Sequence, residues 1–133
     1  MVRPTRWLAG GVLALVILWA PFAMGQGSAL VSLIQLIANP NAFDGQRVIL
    51  YGYAILEFEH NAIYLTEPDA KRATTPNGLW LDLPMGSSIY QNRATFHGRY
   101  VLIEGAFNAR RRGHGSLFSG TIENITRFEV QRN

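Results

Sequence analysis

The sequence contains no cysteine, and that absence alone excludes several features. No disulfide can stabilise the fold, and the chain cannot be a lipoprotein that carries its lipid on a cysteine. Charged residues are also sparse, at 16% of the chain against 48% hydrophobic residues. A chain of 133 residues with this composition suffices for one domain, whose stability must come from its core.

Excess positive charge is largely confined to the N-terminus. The chain carries 12 Lys and Arg against 9 Asp and Glu, a formal net charge of +3. Arg3 and Arg6 belong to the extreme N-terminus, and removing these two from the 12 leaves ten basic against nine acidic side chains from Gln26 onward. The remaining part is nearly neutral, so its composition is not that of a nucleic-acid-binding domain.

Residues 1–25 have the organisation of a secretory signal peptide. Arg3 and Arg6 form a positive start, residues 7–24 carry no charge, and Ala23 and Gly25 are small residues where signal peptidase requires them. We expect cleavage before Gln26. The alternative is an uncleaved anchor in the inner membrane, because the uncharged run is just long enough to span a bilayer. Either way the domain is predicted to be exported, as a periplasmic, secreted or anchored protein.

A long β-strand and its return strand are predicted between residues 39 and 65. Pro40 disfavours a helix interior and Asp44-Gly45 is typical of a turn, so the chain must change direction before Arg47. The following residues alternate, with Gly52 near the middle, where a strand can bend. One side of this strand carries Val48, Leu50, Ala54, Leu56 and Phe58, and the other carries Ile49, Tyr51, Tyr53, Ile55 and Glu57.

The remaining elements follow from hydrophobic spacing and turn residues. A helix is predicted over residues 28–38, and a polar, loop-like stretch over residues 67–77. A phase change near Asn124 indicates a bulge in the last strand. After the long strand, further strands are predicted at residues 62–66, 78–83, 100–108 and 117–130.

These elements predict a mainly β fold in one domain, residues 26–133. Five strands, an N-terminal helix and a short helical connection at residues 84–98, between the third and fourth strands, match the five-stranded Greek-key barrel called the OB-fold. A long first strand bent at Gly52 suits such a barrel, because its two halves can serve two sheets.

A family resemblance points to the same fold and covers roughly residues 31–129. The segments that carry it are LIQLIANPNAFDGQRVILYGYAILEFEHNAIYL, GLWLDLP, YVLIEGAFNA and GHGSLFSGTIENITRFE. They resemble an uncharacterised bacterial OB-fold family related to the tRNA-anticodon-domain-like group. The resemblance implies the barrel, but it implies no activity and no catalytic residues.

Four aromatic residues are predicted on the outward sides of the first three strands: Tyr51, Tyr53, Tyr64 and Trp80. OB-folds usually bind ligands on this face, where aromatic rings can stack on bases or sugars. Trp80 is the strongest single candidate. The alternative is that some of these rings pack under residues 84–98 or under the N-terminal helix.

The predicted charge distribution disfavours nucleic acid. Glu57, Glu59 and Asp82 are expected near the aromatic face, where they would repel phosphate. The basic charge is expected on a loop far from that face, at Arg110, Arg111 and Arg112. This triplet is either a solvated loop tip or a contact for anionic lipid headgroups or an acidic partner.

Motifs for metal binding or catalysis are missing from the sequence. His60, His97 and His114 fall on separate predicted loops without ligand spacing, so we predict no metal and no cofactor. GSLFSG is not a Gly-x-Ser-x-Gly nucleophile motif. Glu57 and Glu59 beside His60 could form a general-base cluster, but a solvated hairpin end is the favoured interpretation.

The sequence therefore predicts a non-catalytic, exported binding module for a protein, peptide or glycan partner in the cell envelope. The alternative is an OB-fold protein that binds single-stranded nucleic acid. That alternative draws on the fold and on the arginine triplet, and the export signal opposes it. The ligand and the oligomeric state are left open.

Overall fold

The structure is a computed structural model that describes residue 2 and residues 27–132. The predicted signal or anchor segment lies outside these residues, apart from residue 2. Within the described part, no helix combines the length and apolar character that crossing a bilayer requires.

Six strands form one mixed sheet, which confirms the mainly β prediction. Their order is β1-β2-β3-β4-β6-β5, and an additional pairing of β2 with β5 closes a ring of hydrogen-bonded strands. β1 pairs with β2 and β4 with β6 in parallel, while the other pairs are antiparallel. The strands are β1 (Ala29–Leu30), β2 (Arg47–Glu57), β3 (His60–Tyr64), β4 (Gly78–Leu81), β5 (Arg99–Asn108) and β6 (Thr121–Val130).

The long strand β2 pairs with β5 and with β3 along different parts of its length, as its length and its glycine predicted, and β1 adds a short pairing at its start. Its first part, up to Ala54, pairs with β5, and its last part, from Tyr53 onward, pairs with β3. Gly52 lies where the second pairing begins. A Cβ at this position would lie 2.5 Å from Ile63 Cγ1 and 2.6 Å from the carbonyl oxygen of Tyr64. Only glycine allows β3 to approach so closely.

The main core fills the inside of the ring. Alternate residues of β2 point inward and are buried, namely Val48, Leu50, Ala54 and Leu56. Phe58 was predicted to continue this row, but it is 84% exposed. The prediction was wrong because β2 ends at Glu57, and the next two residues form the turn to β3, with Glu59 at a φ of 56°.

Within residues 27–132, five short helices and two 3-10 turns connect the strands. The N-terminal helix starts later than predicted, because Ala29–Leu30 pairs with β2 and the helix is capped by Ser32. Pro40 begins a second helix. Proline is tolerated there because the N–H groups of a helix's first turn have no acceptor within the helix. The helices are α1 (Leu33–Ala38), α2 (Pro40–Phe43), α3 (Glu67–Lys71), α4 (Ser88–Gln91) and α5 (Arg93–Phe96).

Two connections differ in how well the sequence predicted them. The helical connection before β5 is confirmed by α4 and α5. The stretch predicted as a loop after β3 contains α3, whose start is capped by the Thr66 hydroxyl accepting from the backbone N–H of Asp69. The Glu-Pro-Asp sequence at residues 67–69 suits the first turn of a helix as well as a loop.

The bulge predicted near Asn124 is present in β6. The pairing of β5 with β6 shifts register between Glu104 and Ala106. Glu104 faces Arg127 and Ala106 faces Glu123, so β6 carries extra residues at this point. Asn124 lies among them with a φ of 48°. The bulge explains why the hydrophobic phase of the last strand changes there.

Candidate functional site

The four predicted aromatic residues do not share one exposed face. Tyr51 is 44% exposed and Trp80 is half-buried, but Tyr53 and Tyr64 are buried. The predicted outward exposure of Tyr53 and Tyr64 is therefore corrected. They form a second, smaller core whose buried members are Tyr53, Ala62, Tyr64, Ala70 and Phe118.

The cover of this second core explains the error. Ala70 comes from α3, which the sequence analysis placed in a loop, and Phe118 comes from the connection between β5 and β6. The alternative in the sequence analysis was that these rings pack under residues 84–98 or under the N-terminal helix. The buried residues that pack against Tyr53 and Tyr64 come from other segments. Alternation along β2 and β3 shows which side chains share a face, but not what lies on that face.

Tyr64 is a packing residue with a protected hydroxyl group. A hydrogen bond of 2.8 Å joins its hydroxyl to His60 Nε2, and Phe118 packs beside both rings. Desolvation raises the pKa of Tyr64 from 10.0 to about 12. The phenol is therefore neutral at physiological pH, and Tyr64 has a structural role in the second core.

The arginine loop was predicted to lie far from the aromatic face. In the structure it lies directly beside Trp80. β4 and β6 pair in parallel, so the connection from β5 must return to the start of β4 before β6 begins. The backbone N–H of Trp80 donates to Gly120 O at 2.9 Å, and that of Ser119 donates to Gly78 O at 3.1 Å. This return path brings residues 110–116 against Trp80.

Trp80 and the loop line an open depression of about 410 Å³ on the surface. Its lining includes the side chains that we call the Trp80 site: Trp80, Arg110, Arg111, Arg112 and His114. Phe118 supports the indole from within, with a ring-centroid distance of 5.5 Å. Among residues 27–132, no hydrogen-bond acceptor is paired with the indole N–H of Trp80.

Hydrogen bonds hold the backbone of the loop that carries the arginines, while Arg110, Arg111 and Arg112 are exposed to solvent. Asn108 Oδ1 accepts from the backbone N–H groups of Arg110 and Arg111, at 2.9 and 3.0 Å. The Thr121 hydroxyl donates to Arg111 O at 2.7 Å. Asp44 Oδ1 accepts from the backbone of Ala109 at 2.9 Å, which ties the loop to the turn before β2.

Carboxylates neutralise much of the charge of the triplet. Arg111 Nη1 lies 2.7 Å from Glu123 Oε1 and 3.1 Å from Asp82 Oδ2, and these hydrogen bonds raise the pKa of Arg111. Arg110 Nε lies 3.6 Å from Asp44 Oδ2.

Arg112 differs from its two neighbours. Its Nε donates to Phe118 O at 2.7 Å, and it makes no ion pair with any residue in the described part. Its remaining N–H groups are therefore the strongest free donors of the site.

Sequence reasoning missed Asp44 and Glu123 as part of this site. Asp44 precedes Gly45 in a predicted turn, and the turn by itself explains an aspartate at this position. Nothing in the neighbouring sequence indicates that Asp44 contacts a residue 65 positions away. Glu123 is a half-buried residue of β6, and in the sequence it looks like an ordinary surface position. Only the closure of the ring brings both carboxylates to the arginine loop.

The histidines and the remaining acidic candidates lie apart. His97 Nδ1 accepts from the backbone N–H of Leu56 at 3.1 Å, and its Nε2 lies 3.7 Å from Glu57. His60 bonds Tyr64, whereas His114 lines the Trp80 site. Within residues 27–132, no three His, Asp or Glu side chains group in a way that could hold a metal ion.

Tyr51 belongs to a different surface, a groove of about 500 Å³. We call it the apolar groove and define it by Leu30, Leu33, Tyr51, Leu65 and Tyr100. Leu30 and Tyr100 were not predicted as surface anchors, because in the sequence they look like ordinary apolar positions of a helix and a strand.

No protein-family model matches this chain, and a comparison with functionally characterised proteins gives no match.

Proposed function

We propose that this chain is an exported, non-catalytic OB-fold module that binds a protein, peptide or glycan partner of the cell envelope at the Trp80 site. The strand order supports the OB-fold. The five strands β2 to β6 form a ring closed by one parallel pair, with helices between the third and fourth of them, as in the five-stranded Greek-key barrel. The predicted signal segment supports the envelope location.

The observation that carries the proposal is that Trp80 and Arg112 line the same open depression. Trp80 offers an apolar surface and an indole N–H without a partner in residues 27–132, and Arg112 offers guanidinium donors free of any carboxylate there. An aromatic anchor next to directional donors is typical of sites that bind acidic peptides or glycans. The hydrogen-bonded loop holds these groups in place before binding, which lowers the entropic cost of association.

The second candidate function is binding of single-stranded nucleic acid. The fold and the position of the arginines beside Trp80 favour it. Two features oppose it. Phosphates would have to displace the carboxylates that already pair with Arg110 and Arg111. A base-stacking track also needs several exposed rings, whereas Tyr53 and Tyr64 are buried.

Fluorescence of Trp80 tests the proposal. In the full chain, Trp7→Phe and Trp19→Phe leave Trp80 as the only tryptophan. We expect saturable changes in its emission with a Glu-rich decapeptide or with a uronic-acid oligosaccharide, and at least a tenfold affinity loss in Arg112→Gln. The matched control is Arg72→Gln, an exposed arginine outside the site.

The same titration with oligo(dT) separates the two functions. Binding only to oligo(dT), with affinity falling steeply as salt rises, would establish the nucleic-acid alternative. If none of the three probes changes the emission of Trp80, the proposed site is wrong.

A further inference from the structure

The apolar groove arises from a gap between two neighbours of β2. β1 ends at Leu30, and the chain then turns away into α1, whereas β3 joins β2 only from Tyr53 onward. The intervening part of β2, around Tyr51, therefore has no strand beside it on this edge. Side chains from β1, α1 and the end of β3 form the walls of the gap.

The groove concentrates the exposed apolar surface of the described chain. Large hydrophobic side chains are exposed at eight positions within residues 27–132, and four of them line the groove. Those four are Leu30, Tyr51, Leu65 and Tyr100. Leu30 is 72% exposed, and Ile34, which does not line the groove, is 58% exposed on the adjoining helix α1. Apolar patches of this kind mark interaction surfaces.

The chemistry of the lining fits a lipid interface. Among the described residues that line the groove, none carries a charge. Tyr51 and Tyr100 add rings with a polar tip, and the Tyr100 hydroxyl accepts from the backbone N–H of Glu67 at 3.2 Å. Tyrosine is enriched where an apolar body meets a wet edge, as at the boundary between acyl chains and headgroups.

The path of the chain points to the same partner. The uncharged run at residues 7–24 ends six residues before Leu30. Six residues span at most roughly 20 Å when fully extended. β1 holds Leu30 in place by its pairing with Ile49 of β2. A chain whose run 7–24 is inserted in a bilayer must therefore keep the groove close to the membrane surface.

We propose that, in the chain that retains residues 7–24, the apolar groove docks on the phospholipid bilayer, with Leu30 and Ile34 inserted at the headgroup boundary. β4, which carries Trp80, is separated from β2 by β3 in one direction around the ring and by β6 and β5 in the other. Docking through the groove therefore leaves the Trp80 site open to a partner. This orientation differs from one in which Arg110, Arg111 and Arg112 face anionic lipid.

Because the chain has no cysteine, single cysteines report depth in the membrane without ambiguity. The full chain is synthesised cell-free into liposomes of phosphatidylethanolamine and phosphatidylglycerol, where no signal peptidase removes residues 7–24. An environment-sensitive fluorophore is attached at Ile34→Cys, with Leu117→Cys and Phe58→Cys as exposed controls. Nitroxide lipids then quench from the membrane, and iodide quenches from water.

We expect nitroxide lipids to quench the Ile34 probe at least threefold more than the Leu117 or Phe58 probe, and iodide to quench it less. Stronger lipid quenching at Leu117, beside the arginine loop, would overturn the proposal in favour of the arginine-facing orientation. Protection of the Ile34 probe from both quenchers would show a protein segment in the groove and overturn it equally. Free access of iodide would show that the groove stays in water.

A second variant tests the groove itself. Leu30→Gln, at an exposed position, should reduce lipid quenching of the Ile34 probe at least twofold, whereas Leu117→Gln should leave it unchanged. Circular dichroism verifies that both variants keep the fold. Equal quenching in all three proteins would show that the anchor alone sets the depth, and the docking proposal would fail.

Discussion

Gly113 lies directly on the indole of Trp80: a Cβ at residue 113 would be 2.6 Å from both Cβ and Cγ of the tryptophan. Gly113 also has a φ of 67°, which L side chains rarely adopt. The arginine loop can therefore reach Trp80 only because this residue has no side chain. The local backbone and the candidate site depend on the same glycine.

Gly113→Ala is expected to destabilise the protein by about 1–3 kcal/mol, because the methyl group collides with Trp80 and the backbone is strained. The emission of Trp80, isolated by Trp7→Phe and Trp19→Phe, should shift as the loop moves. Urea denaturation and fluorescence measure both effects. Gly86→Ala is the control, since a Cβ there meets no atom within 4 Å. Equal stability of the two variants would contradict the close approach.

Gly52→Ala is expected to lower the free energy of unfolding by about 1–3 kcal/mol. The added carbon would lie 2.6 Å from the carbonyl oxygen of Tyr64, which is backbone and cannot rotate away. β3 would have to separate from β2 where their pairing starts. Thermal unfolding, with Gly86→Ala again as the control, checks this. An unchanged midpoint would show that β3 does not pack as described.

Stability should decrease at high pH because of Tyr64. The pKa of its phenol is raised to about 12 in the folded protein, against 10.0 in the unfolded chain. Between these values the unfolded chain has lost the proton and the folded protein keeps it, so the free energy of unfolding falls as pH rises from 10 to 12. Below pH 10 this contribution is fully present.

Tyr64→Phe removes this pH dependence and should flatten the curve above pH 10. It should also cost about 0.5–1.5 kcal/mol at neutral pH, through loss of the hydrogen bond to His60. Urea midpoints from pH 8 to 11.5 measure both effects. Tyr51→Phe, which changes an exposed ring, is the control. A curve for Tyr64→Phe that parallels the curve for Tyr51→Phe would contradict the burial of the phenol.

His97→Ala is expected to destabilise the fold by about 1–3 kcal/mol, because the Leu56 backbone N–H loses its acceptor beside a buried side chain. His97→Asn keeps an acceptor on a side chain of similar reach and should recover part of the loss. His114→Ala removes an exposed histidine and should change stability little. Chemical denaturation ranks the three variants. Equal losses in His97→Ala and His97→Asn would argue against the hydrogen bond.

Expression of the full-length gene in a bacterial host tests the export prediction. We expect the protein outside the cytoplasm. Intact mass then distinguishes a chain that starts at Gln26 in the soluble envelope fraction from a full-length chain in the membrane fraction. A full-length protein found in the cytoplasm would contradict the signal interpretation and strengthen the nucleic-acid alternative.

The strands were predictable because their determinants are local. Alternation identified β2 and its buried row, Gly52 marked the change of partner strand, and the phase change near Asn124 located a bulge. Phe58 fits the same alternation, yet it is exposed, because periodicity does not show where a turn interrupts a strand. The helix at Glu67–Lys71 was missed because Pro and Asp suit both a turn and a helix start.

The candidate site was predictable in its residue types but not in its arrangement. Trp80 and the arginine triplet were identified separately, and the triplet was placed on the wrong side. Their proximity follows from the parallel pairing of β4 with β6, which joins residues about forty positions apart in the chain. Tyr53 and Tyr64 are covered by Ala70, from the helix that directly follows β3, and by Phe118, from a distant segment.

The sequence by itself therefore determined what acts over a few residues: the strand rows, the turns and the predicted export segment, together with the lack of cysteine chemistry. Tertiary structure decided which aromatic rings are covered, where the arginines lie, and that an apolar groove opens at Tyr51. The physical reason is that burial and charge pairing depend on which segments meet when the ring closes, and those contacts join residues far apart in the chain.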